Sequence, residues 1–220
     1  MACSCCDFTG PAGHQFDARM AAKQLKAYRR GQVGPTTRFL RDGLVAARLN
    51  SGTLLDVGAG IGALTFELLE RGFSSAVAVE ASSAYLTAAR EEATHHHPGT
   101  VSFVYGDFVS VASQVSAADV VTLDRVVCYY EDYRALLTDS TARARRGLAL
   151  SYPRDRWFVR AAIRIENTVR QLRSNVFRTF VHPVTEMERL IRDAGFDLVA
   201  RRETVAWTSD VYARRPGSAT

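Results

Sequence analysis

Short apolar runs alternate with amphipathic helical patterns along most of this 220-residue chain. Runs rich in Val, Leu and Ala predict buried strands at residues 53–58, 75–80, 100–106, 118–124 and 146–153. Helical periodicity predicts helices at residues 17–30, 35–49, 62–72, 82–97, 155–173 and 184–194. Because parallel strands need crossover helices, this alternation predicts an α/β fold with a doubly wound, mostly parallel sheet that is covered on both faces.

Local signals mark the ends of several elements. Ser82 is placed to cap the helix 82–97, which Pro98 and Gly99 end. The two strand-like segments that close the chain have no helix between them, so we expect them to pair antiparallel. These boundaries divide the chain into a flexible cysteine-containing tail, N-terminal helices, a core and a polar tail, at residues 1–16, 17–50, 51–214 and 215–220.

Arginine carries almost all of the positive charge. The formal net charge is +5, and only Lys23 and Lys26 among the 28 basic residues are lysines. This preference indicates either bidentate binding of carboxylates and phosphates or simply a GC-rich coding sequence. No apolar run reaches the length of a membrane span, roughly 18–20 residues, and the N-terminus lacks the pattern of a signal peptide. We therefore expect a cytoplasmic protein.

The cysteines do not have the spacing of a metal site. Three of the four, Cys3, Cys5 and Cys6, lie in the first six residues, and no second Cys/His cluster pairs with them. An oxidation-sensitive tail is favoured over a metal site completed by His14, so no metal is expected. The three consecutive histidines at 95–97 end a predicted helix, where cationic character suits the helix dipole.

The stretch LLDVGAGIGAL, residues 54–64, joins the first predicted strand to a helix through closely spaced glycines. Gly58, Gly60 and Gly62 have the spacing G-x-G-x-G, whereas the dinucleotide fingerprint is G-x-G-x-x-G. No Gly-Lys-Ser/Thr follows, which excludes a Walker-type phosphate loop. In such sheets the ligand binds at the carboxyl ends of the strands, so this loop is the predicted binding site.

These motifs resemble those of the class I S-adenosylmethionine-dependent methyltransferases over residues 36–214. The resemblance rests on LLDVGAGIG, on Glu80 at the end of the second strand, on GDF at 106–108, and on AGF at 194–196 before the closing strand pair. It implies a seven-stranded Rossmann-like sheet in the order 3-2-1-4-5-7-6, a final antiparallel strand and an N-terminal helical lid. It also implies S-adenosyl-L-methionine as cofactor. The alternative is a Rossmann dehydrogenase with an aberrant loop.

The same resemblance implies the roles of the cofactor-binding residues. Glu80 would accept hydrogen bonds from both ribose hydroxyls, and Asp107 would read the adenine amine, with Phe108 beside the ring. Asp56 would orient the amino group of the cofactor. As a separate hypothesis, the helix 17–30 closes over the cofactor as a lid, with Tyr28 in contact with it. The expected cofactor-binding set is Tyr28, Asp56, Gly58, Ala59, Gly60, Gly62, Glu80, Ala81, Gly106, Asp107, Phe108 and Asp124.

The segment LDRVVCYYEDY, residues 123–133, follows the fourth strand, where the family builds its acceptor side. It lacks the Asn/Asp-Pro-Pro-Tyr/Phe motif of nucleic-acid amine methylation, so methylation of a base amine is disfavoured. The candidate wall residues are Asp124, Arg125, Cys128 and Tyr129. The alternative is a short packed helix made by Val126, Val127 and Tyr130. Together with FD, YRR and YPRDRW, the segment also resembles the magnesium-protoporphyrin O-methyltransferase group and its bacterial relatives.

Residues 143–178 hold ten arginines against two carboxylates, Asp155 and Glu166. On the predicted helix 155–173 one face carries arginines, and another carries Phe158, Ala162, Ile165, Val169 and Leu172. The arginines at 156, 160 and 164 recur every four residues. Four interpretations remain open: a solvated basic face, an anionic acceptor site, peripheral contact with an anionic membrane, or RNA binding.

The catalytic candidates are His182, Asp124 and Tyr129. A hydroxyl acceptor would need a general base such as His182 or Asp124, whereas a carboxylate acceptor would need none. The expected function is methyl transfer to an oxygen of an anionic or aromatic small molecule. An RNA methyltransferase and a non-catalytic S-adenosylmethionine-binding regulatory protein are the alternatives. The sequence leaves the oligomeric state open.

Overall fold

A seven-stranded sheet lies at the centre of residues 9–217, the part of the chain that the computed structural model describes. The strands are β1 (Gly52–Val57), β2 (Phe73–Glu80), β3 (Val101–Tyr105), β4 (Ala118–Leu123), β5 (Ala144–Pro153), β6 (Phe196–Glu203) and β7 (Trp207–Arg214). The helices are α1 (Thr9–Gln15), α2 (Ala18–Tyr28), α3 (Pro35–Ala46), α4 (Ala63–Leu69), α5 (Ser83–His96), α6 (Phe108–Val111), α7 (Tyr133–Arg143), α8 (Trp157–Leu172) and α9 (Val184–Asp193).

The strand order is β3-β2-β1-β4-β5-β7-β6. The first five strands are parallel, with Leu54 of β1 opposite both Ala76 of β2 and Val120 of β4. β7 lies between β5 and β6 and is antiparallel to both, with Leu150 opposite Asp210. The predicted doubly wound sheet, its order and its final antiparallel strand are therefore confirmed.

Apolar side chains pack on both faces of the sheet, as the nearly continuous apolar strands require. Along β1, Leu54 packs with the α3 and α4 side while its neighbour Leu55 packs with the α7 and α9 side. In β4, which pairs with β1 in the sheet, Val120 and Val121 point to the two faces in the same way. The helices therefore cover the two faces and leave the carboxyl ends of β1–β4 as the edge on which ligands can bind.

Two helix caps confirm the local reading of the sequence. The Ser82 side chain accepts a hydrogen bond from the Tyr85 backbone N–H at 3.3 Å, as predicted, and Asp17 caps α2 in the same way at Met20. The Ser82 hydroxyl also donates to the carbonyl of Phe16 at 2.6 Å. This second bond ties the N-terminal segment to the edge of the sheet where β2 ends.

The N-terminal segment differs from the prediction. Residues 9–15 form α1 where a flexible tail was expected, because Ala12 is buried and Phe16 packs its ring on Tyr85 and Phe177. The three clustered cysteines at 3, 5 and 6 lie outside the described residues. The helix α7 was not predicted either. Most other boundaries move by a few residues, as where β5 begins at Ala144 and gains a longer pairing with β4.

The long helix α8 lies at the periphery with its predicted apolar face turned outward. Of its 16 residues only Val159 is buried. The prediction that Phe158, Ile165 and Leu172 share a face is correct, but this face does not pack on the protein, because all three side chains are exposed. No helix in the described range 9–217 is long and apolar enough to cross a bilayer.

Candidate active site

The glycine loop after β1 forms the floor of a cavity at the carboxyl edge of the sheet. Gly58 has a φ of +64°, and a Cβ there would lie 2.5 Å from the Val126 side chain, so only glycine fits. The backbone N–H groups of Gly58 and Ala59 donate to the carbonyl of Val79 at 2.8 and 3.1 Å. The chain is thereby held in a tight turn that exposes its backbone to the cavity.

Glu80 fixes the other side of this turn. Its carboxylate accepts hydrogen bonds from the backbone N–H groups of Gly60 at 2.8 Å and Ser82 at 2.7 Å. Burial raises the pKa of Glu80, and the same backbone donors oppose that shift. Each carboxylate oxygen has a second acceptor position, so the buried group can also accept from hydroxyls of a ligand in the cavity.

Asp56, the last polar residue of β1, is buried beneath the loop. Its two oxygens accept hydrogen bonds from the hydroxyls of Thr65 and Thr122, both at 2.6 Å. Burial raises the pKa of Asp56 to about 6, and the two threonine hydrogen bonds oppose that shift. The side chain borders the cavity and can pair with a cationic group of a ligand when it is ionised.

The raised pKa of Asp56 predicts a pH-dependent stability. The folded state binds this proton more tightly than the unfolded state, whose pKa is near 3.8. The resulting stabilisation is complete below that value and is lost as pH rises through about 6. We expect Asp56→Asn, which cannot ionise, to gain stability relative to the wild type, by on the order of 1–3 kcal/mol, between acid and neutral pH without ligand. Urea unfolding across this range measures the difference, and a difference independent of pH would contradict the assignment.

The segment after β3 supplies the next wall. Gly106 and Phe108 border the cavity, as does Ala81 after β2. Asp107 lies behind this wall, where its carboxylate accepts hydrogen bonds from the hydroxyls of Tyr130 and Ser110. Of the predicted set, the structure therefore brings Gly106 and Phe108 to the cavity and holds Asp107 in a side-chain network beside it.

The loop after β4 forms the opposite wall. Asp124 accepts hydrogen bonds from the hydroxyls of Thr37 at 2.5 Å and Ser151 at 2.6 Å, which occupy one position on each oxygen. Arg125 follows with a φ of +60°, an uncommon conformation for a residue with a side chain. Its backbone N–H donates to the Ser151 hydroxyl at 2.8 Å. This network holds the Arg125 backbone in place while its side chain borders the cavity.

Aromatic rings surround the mouth of the cavity. Phe16 and Tyr129 border it, and Phe177 backs them, with ring centroids between 4.9 and 5.6 Å apart. Burial raises the pKa of Tyr129, while the nearby Arg125 charge opposes that shift. Tyr129 therefore keeps its proton at neutral pH, and its ring serves as an apolar wall.

A buried hydroxyl group of a residue that borders the cavity could form a hydrogen bond with a ligand. Tyr85 borders it, and its hydroxyl, buried next to the Gln24 side chain, makes no hydrogen bond of ordinary geometry with the described residues. Buried hydroxyls without partners are rare in folded proteins. A polar ligand in the cavity would satisfy this group.

Several predicted site residues lie away from the cavity. Tyr28 packs its ring on Phe66, at 6.1 Å between centroids, so α2 reaches the cavity through Gln24 instead. Gly62 faces Phe66 rather than the cavity: its φ is +83° and a Cβ would lie 2.6 Å from that ring. Cys128 is fully buried behind the wall, and burial raises the pKa of its thiol.

His182, a candidate base, also lies outside the residues that border the cavity. Its ring packs against Tyr133 at 4.4 Å between centroids, and its Nε2 hydrogen-bonds to the carbonyl of Val127 at 3.1 Å. Burial lowers the pKa of His182. The residue therefore ties the segment before α9 to the loop after β4, a structural role.

We expect His182→Ala to lower the free energy of unfolding by about 2–4 kcal/mol, because it removes a buried ring and a hydrogen bond. The pH profile of kcat/KM should be that of the wild type at temperatures where the variant is folded. His95→Ala, on the exposed end of α5, is the matched control with no stability loss. Loss of one limb of the pH profile in His182→Ala alone would restore His182 as a base.

The structure thus gathers ten of the predicted site residues around one cavity. They are Asp56, Gly58, Ala59, Gly60, Glu80, Ala81, Gly106, Phe108, Asp124 and Tyr129. Sequence reasoning missed Phe16, Thr37 and Tyr85, which reach the cavity from helical segments or their flanks. The described residues hold no group of three or more His, Cys, Asp or Glu side chains that could bind a metal ion.

Comparisons with known proteins agree with this geometry. Residues 54–147 match the family model described as a methyltransferase domain. Magnesium protoporphyrin IX methyltransferase from Synechocystis, solved with bound SAH, is 20% identical, with a TM-score of 0.63 over 89% of this chain and 96% of that one. An O-methyltransferase family protein from Burkholderia thailandensis is 20% identical, with a TM-score of 0.71 over 93% of this chain and 62% of that one. No curated protein sequence matches the chain.

The sheet order is that of a Rossmann-like fold, which this chain shares with these neighbours, and residues 54–147 form a methyltransferase domain. These findings support a methyltransferase activity with S-adenosylmethionine as the cofactor.

Proposed function

We propose that the chain transfers a methyl group to an oxygen of a small anionic acceptor that has an aromatic or apolar body. The observation that carries this proposal is the Arg125 side chain. It borders the cavity, and it makes no hydrogen bond or ion pair with any side chain in the described range. The residue is exposed, and an anionic acceptor in the cavity would supply a counterion for its guanidinium.

The position of Arg125 supports a role in binding. Left-handed backbone conformation in a residue with a side chain costs free energy and is concentrated at functional sites. Here Ser151 holds the backbone N–H of Arg125, and the same serine hydroxyl binds Asp124. The charge of Arg125 lowers the pKa of both Tyr85 and Tyr129, against the larger effect of burial.

The remaining walls fit the cofactor. We assign Glu80 to the ribose hydroxyls, the Gly106–Phe108 turn with Asp107 to the adenine, and Asp56 to the cationic amino group. S-adenosylmethionine supplies a methyl group on a positively charged sulfur, which an acceptor oxygen can attack. The Tyr85 hydroxyl, which is buried next to the Gln24 side chain, is a further donor or acceptor for a polar ligand.

The catalytic candidates favour an acceptor that is already ionised. Asp124 holds Thr37 and Ser151, Tyr129 keeps its proton, and His182 lies outside the cavity. None of these three is placed as a free general base. A carboxylate or an acidic phenol needs no base, so binding and orientation supply most of the rate enhancement. The aromatic wall of Phe16 and Tyr129 would exclude water from the reacting oxygen.

The structural neighbours support oxygen as the accepting atom. One is named an O-methyltransferase family protein from Burkholderia thailandensis. Another neighbour, an O-methyltransferase family 2 protein from Planctomyces limnophilus, was solved in complex with apigenin, with a TM-score of 0.59 and 15% identity. These names agree with a small acceptor, and the Arg125 side chain adds the expectation of negative charge.

The test is a transfer assay with S-adenosylmethionine labelled in its methyl group. Aromatic carboxylic acids and acidic phenols are each paired with the neutral methyl ester or methyl ether of the same body. We expect label on acids and none on the neutral partners, and release of label as methanol in base separates carboxyl esters from aryl ethers. Transfer to amines, to RNA or to neutral bodies would contradict the proposal. Cofactor binding without transfer to any acid would favour the non-catalytic alternative.

A further inference from the structure

The outward face of α8 is a stripe of large apolar side chains with nothing packed on it in the described part of the chain. Trp157 and Leu172 are each 81% exposed and Ile165 is 65% exposed, more than any large apolar side chain of the other described strands and helices. Phe158 and Val169 widen the stripe. Helical spacing places all five on one side, so they form a continuous surface along the helix.

The inward face of α8 contacts the rest of the protein through packing and hydrogen bonds. Val159 is buried, and Asn167 exchanges two hydrogen bonds with the backbone of Thr179, at 2.8 and 3.0 Å. Arg170 donates to the Thr179 hydroxyl at 2.7 Å and lies over the ring of Phe177. These contacts fix the rotation of the helix. The apolar stripe is therefore held outward.

Positive charge lines the same helix. Residues 154–178 hold seven arginines and two carboxylates, an excess equal to the formal net charge of the whole chain, +5. Two of the arginines pair with those carboxylates, Arg160 with Asp155 and Arg170 with Glu166. The Arg156, Arg164 and Arg173 side chains have no ion-pair or hydrogen-bond partner within residues 9–217.

We propose that α8 docks in the interface of an anionic lipid bilayer, with Trp157, Ile165 and Leu172 inserted and the free arginines at the headgroups. A helix that combines an exposed apolar stripe containing Trp with flanking basic residues is suited to lie in this interface. Each arginine near a negatively charged surface adds to the attraction, which salt weakens.

The charge pattern favours lipid over two other occupants. A symmetric dimer through α8 would place the same patch of both copies together, so the unpaired arginines would face one another. Single-stranded RNA would use aromatic rings as stacking platforms, yet most of the stripe is aliphatic, as at Ile165, Val169 and Leu172. A bilayer accepts the aliphatic side chains and supplies the negative charge.

Docking in this way would bring the bilayer close to the cavity. The chain that follows α8 carries Phe177, whose ring packs on Tyr129 at the cavity mouth, at 4.9 Å between centroids. The Asn175 side chain also hydrogen-bonds to Gln15 at the end of α1. This inference does not depend on the identity of the acceptor.

The test is co-sedimentation of the full chain with vesicles of phosphatidylcholine, with or without phosphatidylglycerol. We expect binding to the anionic vesicles that weakens with added salt. Arg164→Gln should lower the partition coefficient about fivefold. The double variant Ile165→Ser/Leu172→Ser should lower it at least tenfold, roughly the loss of two inserted side chains. Blue-shifted Trp157 fluorescence should accompany binding, and Trp207 can be replaced by Phe to isolate the signal.

Two matched variants control for exposure and charge. Val205→Ser removes an apolar side chain that is 75% exposed on the turn between β6 and β7, and Arg48→Gln removes an exposed arginine outside α8. Both should bind vesicles as the wild type does. Absence of binding to anionic vesicles would overturn the proposal. So would a dimer in sedimentation velocity that Ile165→Ser/Leu172→Ser dissociates, or RNA binding that the same double variant abolishes.

Discussion

Glu80→Ala should lower the affinity for S-adenosylmethionine at least a hundredfold. The substitution removes the acceptor of two backbone N–H groups, those of Gly60 and Ser82, and the proposed acceptor of the ribose hydroxyls. Hydrogen bonds to a charged group contribute about 1.5–3 kcal/mol each, and 1.4 kcal/mol is tenfold in affinity. Equilibrium dialysis with labelled S-adenosylmethionine measures the loss.

Two further variants keep this prediction informative if Glu80→Ala unfolds. Glu80→Gln preserves the shape and one acceptor oxygen, so its affinity should lie between those of Glu80→Ala and the wild type. Glu91→Ala, on the exposed face of α5, is the matched control and should bind as the wild type does. Wild-type affinity in a folded Glu80→Ala variant would show that the cofactor does not use this carboxylate.

Arg125→Gln should lower kcat/KM for an anionic acceptor by about 10- to 100-fold, because a charge-assisted hydrogen bond is lost. The affinity for S-adenosylhomocysteine should stay unchanged, since Arg125 is not among the residues assigned to the cofactor. The neutral partner, which accepts no methyl group, should inhibit both proteins about equally. Steady-state kinetics with the acid, with and without its neutral partner as a competitive inhibitor, measure this difference in both proteins.

Arg48→Gln is a close control for the backbone effect. Arg48 also has a left-handed conformation, with φ +56° against +60° for Arg125, and it lies outside the cavity. Any general cost of replacing an arginine in this conformation appears in both variants, whereas the loss of acceptor binding should appear only in Arg125→Gln. Equal effects of the two substitutions on kcat/KM would contradict an acceptor-binding role for Arg125.

The architecture could be predicted from the sequence because its signals are local. Each apolar run of β1–β5 is bounded by turn residues, and the Ser82 cap is read from adjacent positions. The strand order followed from a resemblance rather than from periodicity, which carries no information about neighbours in a sheet. The helix α1 was missed because its stability comes from tertiary contacts: Phe16, at its end, packs on Tyr85 and Phe177.

The site was predictable where one motif contains both the turn and the ligand-facing atoms. Gly58 and Glu80 lie at strand ends, so their positions follow from the fold. Phe16 and Thr37 reach the cavity from segments far away in sequence, and no local pattern marks them. The position of His182 could not be predicted for the complementary reason: the sequence shows a residue type suited to proton transfer, whereas its packing on Tyr133 depends on the tertiary structure.

The exposed face of α8 shows the limit of amphipathic patterns most clearly. Periodicity correctly grouped Ile165 and Leu172 on one side of a helix, but a pattern cannot state which side the protein covers. Here the polar contacts of Asn167 and Arg170 with Thr179 fix the rotation, so the apolar side faces outward.

The most direct test of the account is calorimetric titration of the wild-type chain with S-adenosylhomocysteine, NAD and NADP in turn. The glycine spacing at Gly58, Gly60 and Gly62 and the buried Glu80 carboxylate predict binding of one S-adenosylhomocysteine per chain and no heat from either dinucleotide. Binding of NAD or NADP in place of S-adenosylhomocysteine would contradict the cofactor assignment and, with it, the proposed methyl transfer.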